Sequence, residues 1–347
     1  MSGCPEISPD HCVHGLIGNA SCQACVDSCP RNAWILGEDS LGLDEEACDG
    51  CGLCIPACPS GALHTPFPYV IRHIGGQAVA LFGCDKSGAA GTEACISCIH
   101  ALGIRQLLLL YTSGINCLLL AEQDCVACHI PSERTLENRV KQLNRLLRER
   151  HRPLIKLLYR PARVWRALLR QEALITRGTL LNRRAFLAGA SSSRLLREQM
   201  VSMDPLNRPE CQTVAPGILL DTESGDQHLP WVPRIEAMDC SGCDACINLC
   251  PTQALRYDAD EDNACYRIDA PRCNGCGICA DVCAEESVHV LTWEKWQKET
   301  IPLKSARCNR CGNDFHVPRE SQLGGTDLCP VCRSSGSKQL FQVLGAA

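Results

Sequence analysis

Cysteines in the last third of this chain fall twice at a spacing that suits iron–sulfur chemistry. One run reads Cys240-x2-Cys243-x2-Cys246-x3-Cys250-Pro251 and the next Cys273-x2-Cys276-x2-Cys279-x3-Cys283. In such runs three closely spaced thiolates hold three irons of one cubane, and the fourth cysteine ligates the other cluster. The spacing therefore predicts one [4Fe–4S] cluster on Cys240, Cys243, Cys246 and Cys283, and a second on Cys273, Cys276, Cys279 and Cys250. The exchange of fourth ligands ties the two halves together, so the clusters staple a core too small to hold itself. Gly242, Ala245, Gly275 and Gly277 lie between the ligands. Small residues let the backbone wrap closely and turn N–H groups toward sulfur. Zinc sites would pair isolated C-x2-C knuckles instead, and disulfides do not suit two-residue gaps within one turn.

The first 66 residues repeat the pattern with one defect. Cys48-x2-Cys51-x2-Cys54-x3-Cys58-Pro59 is complete, whereas Cys22-x2-Cys25-x3-Cys29-Pro30 has Asn19 where its first ligand belongs. Cys12 and Cys4 are the candidates to replace it, and Cys12 is the nearer. The reading is one cluster on Cys12, Cys22, Cys25 and Cys58 and another on Cys48, Cys51, Cys54 and Cys29, with a three-iron cluster as the alternative at the incomplete site. The protein is thus an internal duplication of eight-cysteine units, and four [4Fe–4S] clusters are expected.

Two further groups of thiols lie outside these units. Cys308-x2-Cys311-x17-Cys329-x2-Cys332 separates two knuckles as a zinc ribbon does. One zinc is expected there, folding the tail by itself, and a rubredoxin-type iron uses the same geometry. Between the units, Cys84, Cys95, Cys98, Cys125 and Cys128 accompany a β-α-β pattern: strand-like Gln77–Phe82, helix-like Ala94–Leu110 and strand-like Asn116–Ala121. Open α/β sheets place their sites at the carboxyl ends of strands, so these thiols are candidates for an additional metal or iron–sulfur site, the alternative being buried structural cysteines. Cys117, inside its strand, fits the structural reading. His100 and His129, near the two C-x2-C pairs, read as hydrogen-bonding surface groups.

The elements that position these groups follow from composition. The chain has 347 residues, 29 of them cysteine, and only 4% aromatics; much of its order must come from inorganic centres, assembled in a reducing compartment. The expected class is α+β: two ferredoxin-like modules (1–66 and 236–300), a cysteine-rich α/β segment (67–131), a basic helical connector (132–200), a linker (201–235) and the zinc-ribbon tail (301–347). From Ser132 to Arg184 there are 15 Lys or Arg against four Glu, with Leu136, Val140, Leu143 and Leu147 on one helical face. That run suits an acidic partner, an anionic membrane face or a solvated surface helix. Asn182-Arg183-Arg184-Ala185-Phe186-Leu187 looks like an export motif, but it lies mid-chain and Ser191-Ser192-Ser193 follows in place of an apolar region. No apolar run suits a secretory signal or the roughly 20 residues of a membrane span, so the reading is a soluble cytoplasmic protein. A net charge of −5, and only Tyr159 and Trp165 among the arginines, argue against nucleic acid. Dinucleotide, P-loop and triad signatures are missing from the sequence, which argues against an enzyme acting on its own.

The eight-cysteine halves resemble polyferredoxins. Arg183-Arg184-Ala185-Phe186-Leu187 followed by Cys240-Ser-Gly-Cys243-Asp-Ala-Cys246 is similar to the cytoplasmic ferredoxin of periplasmic nitrate reductase systems. The order of an eight-cysteine unit, Cys58-Pro-Ser-Gly-Ala-Leu and an α/β segment ending near Cys125 resembles ferredoxin-like proteins associated with formate dehydrogenases. The tail and the middle cysteines depart from the first. The resemblance implies a carrier that relays single electrons between a redox donor and acceptor, as a subunit of a larger oxidoreductase such as a molybdoenzyme. The rival class is an assembly or maturation factor that docks its client through the tail and the basic helices.

Overall fold

The computed structural model describes residues 3–37, 40–125, 128, 136–170, 204–208, 211, 213–220, 226–260, 263–322 and 328–334. The chain divides into two compact units, Met1–Gly18 with Cys22–Glu223 and Asn19–Ser21 with Ser224–Ala347. The arginine pair at 183–184 and His129 lie outside the described residues.

The first unit opens with strand β1 (Glu6–Ile7), helices α1 (Val13–Leu16) and α2 (Ala24–Ser28), the hairpin of β2 (Trp34–Leu36) and β3 (Leu41–Leu43), helix α3 (Cys54–Ala57), and β4 (Leu63–His64), which pairs antiparallel with β1. Helices α2 and α3 are one turn long for a local reason. Cys29 and Cys58 follow them in extended backbone, with ψ of 114° and 110°, and each precedes a proline, which disfavours continuing a helix. The Cys-Pro pair thus ends the turn and sets its cysteine just beyond it.

A sheet fills the rest of this unit. Strands β5 (Val70–Ile74) and β6 (Gln77–Cys84) make a hairpin across Gly75 and Gly76, both at positive φ. The short β7 (Cys95–Ile96), helix α4 (Ile104–Thr112), β8 (Cys117–Ala121), α5 (Leu136–Glu149), β9 (Lys156–Arg160), α6 (Ala162–Leu169) and α7 (Pro216–Leu219) follow. The order is β5-β6-β8-β9, with β7 also on β6; β7 and β8 each run parallel to β6, and β9 runs parallel to β8. Parallel strands are covered on both faces and so read as unbroken apolar runs. Accordingly Val79, Leu81, Leu119 and Ala121 pack with Trp165 and Leu169 of α6, while the alternate Ala80, Phe82, Leu118 and Leu120 are buried as well.

Three sequence expectations change here. Ala94–Leu110 is not one helix: Cys95–Ile96 pairs with β6, and the helix begins only at Ile104, after Gly103. The basic stretch is not a separate helical connector, because Lys156–Arg160 alternates into the sheet as a strand parallel to β8. The apolar stripe of α5 is given over to the core, with Leu136, Val140, Leu143 and Leu147 buried.

In the second unit, β10 (Gln227–Ile235) lies in what read as linker and pairs antiparallel with β13, Val288–Trp296. Between them stand α8 (Ala245–Asn248), β11 (Leu255–Asp260), β12 (Asn263–Ile268) and α9 (Ile278–Asp281). Strands β14 (Glu299–Arg307) and β15 (Asp314–Pro318) then extend the β11-β12 hairpin into a four-stranded sheet, and α10 (Pro330–Ser334) closes the described chain. The tail is therefore joined to the second eight-cysteine unit through β12 and β14, not an independent module as its spacing suggested. Among the described residues no helix is long and apolar enough to cross a membrane.

Candidate iron–sulfur and metal sites

The local folds bring the thiols together in sets. In the first unit Cys25, buried in α2, is pushed up to about 12, chiefly by burial and then by the nearby charges of Cys58, Cys22 and Cys12. Cys12 occupies the buried entrance of α1, so it stands with this set despite its distance in sequence. Cys51 is likewise pushed to about 12 by burial, with Cys29 among its neighbours. Cys54 feels both Cys51 and Cys25, which places the two sets side by side. Cys4, the other candidate for the missing ligand, lies against Cys48.

The second unit repeats this. Burial raises Cys240 to about 11, with Cys243 and Cys283 adding to the rise. Cys246 is raised by burial and by Cys240, Cys279, Cys243 and Cys283 together. Cys273 and Cys279 both feel Cys276 and Cys250. Cys246 beside Cys279 puts these two sets side by side as well.

The surroundings fit iron–sulfur clusters on three counts. Buried thiols with raised pKa values gain only if a metal takes the proton's place, so ligation and folding are coupled. Backbone N–H groups already point at sulfur: Ala33 to Cys29 at 3.3 Å, Ala254 to Cys250 at 3.2 Å and Ser287 to Cys283 at 3.3 Å. Such bonds stabilise ligated thiolates. The third count is Arg105, which is 7% exposed and donates to the carbonyls of Pro59 at 2.8 Å and Val214 at 3.1 Å. Among the described residues it has no carboxylate partner, and its charge faces Cys58. Burial lowers its pKa to about 10. Buried charges are ordinarily paired, and an anionic cluster with Cys58 among its ligands would supply the missing countercharge.

Close approach also explains the glycines. Gly242 has φ +73°, and a Cβ there would come within 2.1 Å of the carbonyl oxygen of His316 in β15. Gly275 has φ +80°, and its Cβ would strike the indole of Trp231 in β10 at 2.4 Å. At the place that Gly52 and Gly277 take in the other runs stands Asp244, also left-handed at φ +61°. Its carboxylate accepts from Tyr266 Oη at 2.6 Å and pairs with His316 Nε2 at 2.9 Å.

In the tail, the Sγ atoms of Cys308, Cys311, Cys329 and Cys332 all lie within 4.8 Å of one another. Cys311 and Cys329 sulfurs are 3.8 Å apart. A tetrahedron with metal–sulfur bonds of about 2.3 Å has edges of about 3.8 Å, so the four fit a single ion, zinc or iron. The backbone N–H groups of Cys329 and Cys311 hold the Cys308 thiol down at about 6, poised for ligation.

The middle cysteines converge only in part. Cys84 ends β6; burial is the main cause that raises the thiols of Cys95, Cys98 and Cys125, and nearby Cys84 adds to the rise in each. Cys98 also feels Cys51, and Cys125 feels Cys128. The tail set is the one group among the described residues close enough for a single ion, so a mononuclear metal among the middle thiols is not supported. His100 is not a surface group: it is 2% exposed, its Nδ1 accepts from the Leu136 N–H at 2.9 Å, and its Nε2 meets Cys125 Sγ at 3.2 Å. Cys117 is a buried thiol in β8.

Comparison with known proteins accords with this chemistry. Residues 42–64 match a 4Fe-4S binding domain and residues 239–287 a 4Fe-4S dicluster domain. Over 63 residues, 18% of this chain and 28% of the relative, the chain is 46% identical to a tetrathionate reductase subunit of Archaeoglobus fulgidus. It is 40% identical over 53 residues to a subunit of the Na(+)-translocating ferredoxin:NAD(+) oxidoreductase complex of Acetobacterium woodii, 15% of each chain. It is 36% identical over 50 residues to a ferredoxin of Rickettsia felis, 14% of this chain and 46% of the relative. The chain thus spans less than half the length of these relatives. Both matched regions are of the 4Fe–4S type, and in carrying them the chain is polyferredoxin-like.

Proposed function

We propose that this chain relays single electrons between a donor and an acceptor protein, as a subunit of a larger oxidoreductase. Four [4Fe–4S] clusters carry the electrons, on the four ligand sets that the cysteine spacing predicts. The observation that carries the reading is the packing of helix pairs within each unit: α2 on α3, which carry Cys25 and Cys54, and α8 on α9, whose Cys246 and Cys279 share one buried cluster. Adjacent clusters exchange electrons one at a time and need no substrate pocket. When bound, such clusters supply reversible one-electron redox chemistry over a wide range of potential. The chain's own residues shape it: backbone N–H groups stabilise the sulfurs, burial excludes water, and Arg105 offsets negative charge. The relatives named as subunits of reductase and oxidoreductase complexes support a redox-enzyme partner; the resemblance to carriers of nitrate reductase and formate dehydrogenase systems favours a molybdoenzyme. The tail site is assigned to one structural zinc. The exposed basic face of α5, with Lys141, Arg145 and Arg148, suits an acidic partner surface.

The test is anaerobic metal and sulfide analysis with a redox titration. The four cubanes are expected to contribute about sixteen irons, four each, titrating in one-electron steps. Cys12→Ser is expected to convert one cluster to a three-iron species or abolish it, leaving the other signals. About eight irons at full occupancy would overturn the four-cluster reading.

A further inference from the structure

The thiols at the sheet edge lie outside both regions that match 4Fe–4S domains, and their arrangement is unusual for structural cysteines. Three strand ends deliver them to one place. Phe82 of β6 is in register with Leu120 of β8, so the chain beyond each emerges at the same edge, with Cys84 on one and Cys125 on the other. Cys84 is in register with Ile96 of β7, and Cys98 follows two residues on. Cys84 and Cys98 are 5% and 6% exposed. The Cys128 N–H donates to the Cys125 carbonyl at 3.1 Å, folding that C-x2-C pair into a turn.

We propose that Cys84, Cys98, Cys125 and Cys128 hold a further iron–sulfur cluster at the carboxyl edge of the parallel sheet, next to the thiol set of Cys51. The proposal rests on the electron-transfer reading above and gives that chain of centres another station. Two observations select these residues. His100 accepts at Nδ1 from a backbone N–H, which leaves the ring proton of the neutral imidazole on Nε2, aimed at Cys125 Sγ. A buried N–H donor to sulfur is what a ligated thiolate uses. Cys95, by contrast, donates its S–H to Asp85 Oδ1 at 3.1 Å. A carboxylate in that position opposes a thiolate, so Cys95 drops out and four of the five thiols remain. Among the described residues these four do not gather closely enough for a single ion, so the proposal is a cluster, whose ligands stand farther apart than those of one ion.

Position then gives the role. Cys98 is the thiol that senses both Cys84 and Cys51. Cys51 and Cys98 also line one cavity of about 430 Å³, between the Gly50–Gly52 loop and the segment after β7. An electron on the set of Cys51 therefore has a neighbour in the α/β sheet. Each transfer takes one electron from a reduced centre and gives it to an oxidised one; no covalent bond changes and no proton is required. The ultimate donor and acceptor are the one-electron redox proteins named above.

The experiment uses the full chain, purified anaerobically, with iron and sulfide analysis and electron paramagnetic resonance. Wild type is expected to hold one cluster beyond the about sixteen irons of four cubanes. Cys98→Ser and Cys125→Ser should each remove that cluster's signal and iron, while Cys95→Ala and Cys117→Ala leave both intact. His100→Leu should keep the iron and lower the potential of one cluster, because it removes a donor to sulfur. Failure of the four-cluster reading shows separately, as absence of the signals that Cys51→Ser and Cys276→Ser abolish, and leaves the Cys98→Ser comparison decisive. If Cys98→Ser and Cys125→Ser fold and change neither iron nor any signal, and His100→Leu shifts no potential, the proposal is overturned.

Discussion

The two eight-cysteine units gather their thiols in the same way and are closed by different neighbours. The N-terminal unit is flanked by a parallel α/β sheet, which brings Arg105 toward Cys58 and Cys98 toward Cys51. The C-terminal unit is flanked by β14 and β15, which bring His316 to Asp244 and the Ser321 hydroxyl to the Cys240 carbonyl at 2.8 Å. Ligation is a local property, set by spacing and by the turns that Cys-Pro and glycine allow. What tunes each centre, a buried cation on one side and a carboxylate–imidazole pair on the other, comes from remote sequence. The same cluster-binding motif can thus be given two environments without changing a ligand.

The largest effect should come from breaking the second closure at its metal. The double variant Cys308→Ser, Cys329→Ser is expected to lose the tail ion and, with it, the order of β15 against the loop at Gly242. Structural four-thiolate sites supply the folding energy of their modules. Signals of the set containing Cys240 should weaken or vanish, while those of the N-terminal unit persist. Full retention of all cluster iron would mean that the tail only rests on the unit and does not close it.

Glycine variants sharpen the same contrast. Gly242→Ala meets a backbone oxygen at 2.1 Å, whereas Gly52→Ala meets the Ala101 Cβ at 3.2 Å, an overlap that a small local shift relieves. Both incur left-handed strain on the order of 1–3 kcal/mol, and only Gly242→Ala adds a rigid clash. Cluster bleaching in denaturant should therefore accelerate more for Gly242→Ala than for Gly52→Ala; equal rates would remove β15 from the account.

On the N-terminal side, Arg105→Met replaces the buried cation with an apolar chain of similar length. Reduction adds negative charge to a cluster, so losing the guanidinium should lower the potential of the cluster that includes Cys58. Stability should fall less than a lost buried ion pair would imply, because the desolvation cost of the cation goes too. A redox titration checks this, and an unchanged potential would locate the countercharge elsewhere.

These contrasts also mark what the sequence made legible. The cysteine runs at 48–58, 240–250 and 273–283 were readable because clusters impose short, fixed spacings, and the tail tetrad was readable from its paired knuckles. The lengthened gap before Cys22 still left Cys12 as the nearer donor, beside Cys25. The sheet was only half readable: Lys156–Arg160 sits among arginines, so its period of two was masked by the helical stripe just before it. The break at Gly103 was hidden inside an apolar run whose helix starts later. No signal in the chain pointed to Arg105, Asp244 or His316 as neighbours of clusters, since each depends on a contact across many residues. His100 was visible beside Cys98, but its burial was not.

The smallest expected effect isolates the charge of Asp244. Burial alone would raise this carboxyl, yet the bonds from His316 and Tyr266 outweigh it and hold the pKa below the usual carboxylate value. A folded-state pKa below the unfolded one, about 3.9 for aspartate, means stability that is present above that value and lost as pH falls through the folded one. Asn is the informative replacement, because it also tolerates the left-handed backbone and so removes charge without adding strain. Wild type should therefore exceed Asp244→Asn by on the order of 1 kcal/mol, as for a hydrogen bond to a charged group, at pH 5–7. The gap should close on acidification below about pH 4. Asp244→Gly supplies the glycine that Gly52 and Gly277 provide in the other complete runs and relieves the left-handed strain, but it gives up the bond to His316. If Asp244→Gly is as stable as wild type at pH 7, backbone conformation alone explains the residue; if it is weaker, the carboxylate is what fastens β15 to the cluster loop.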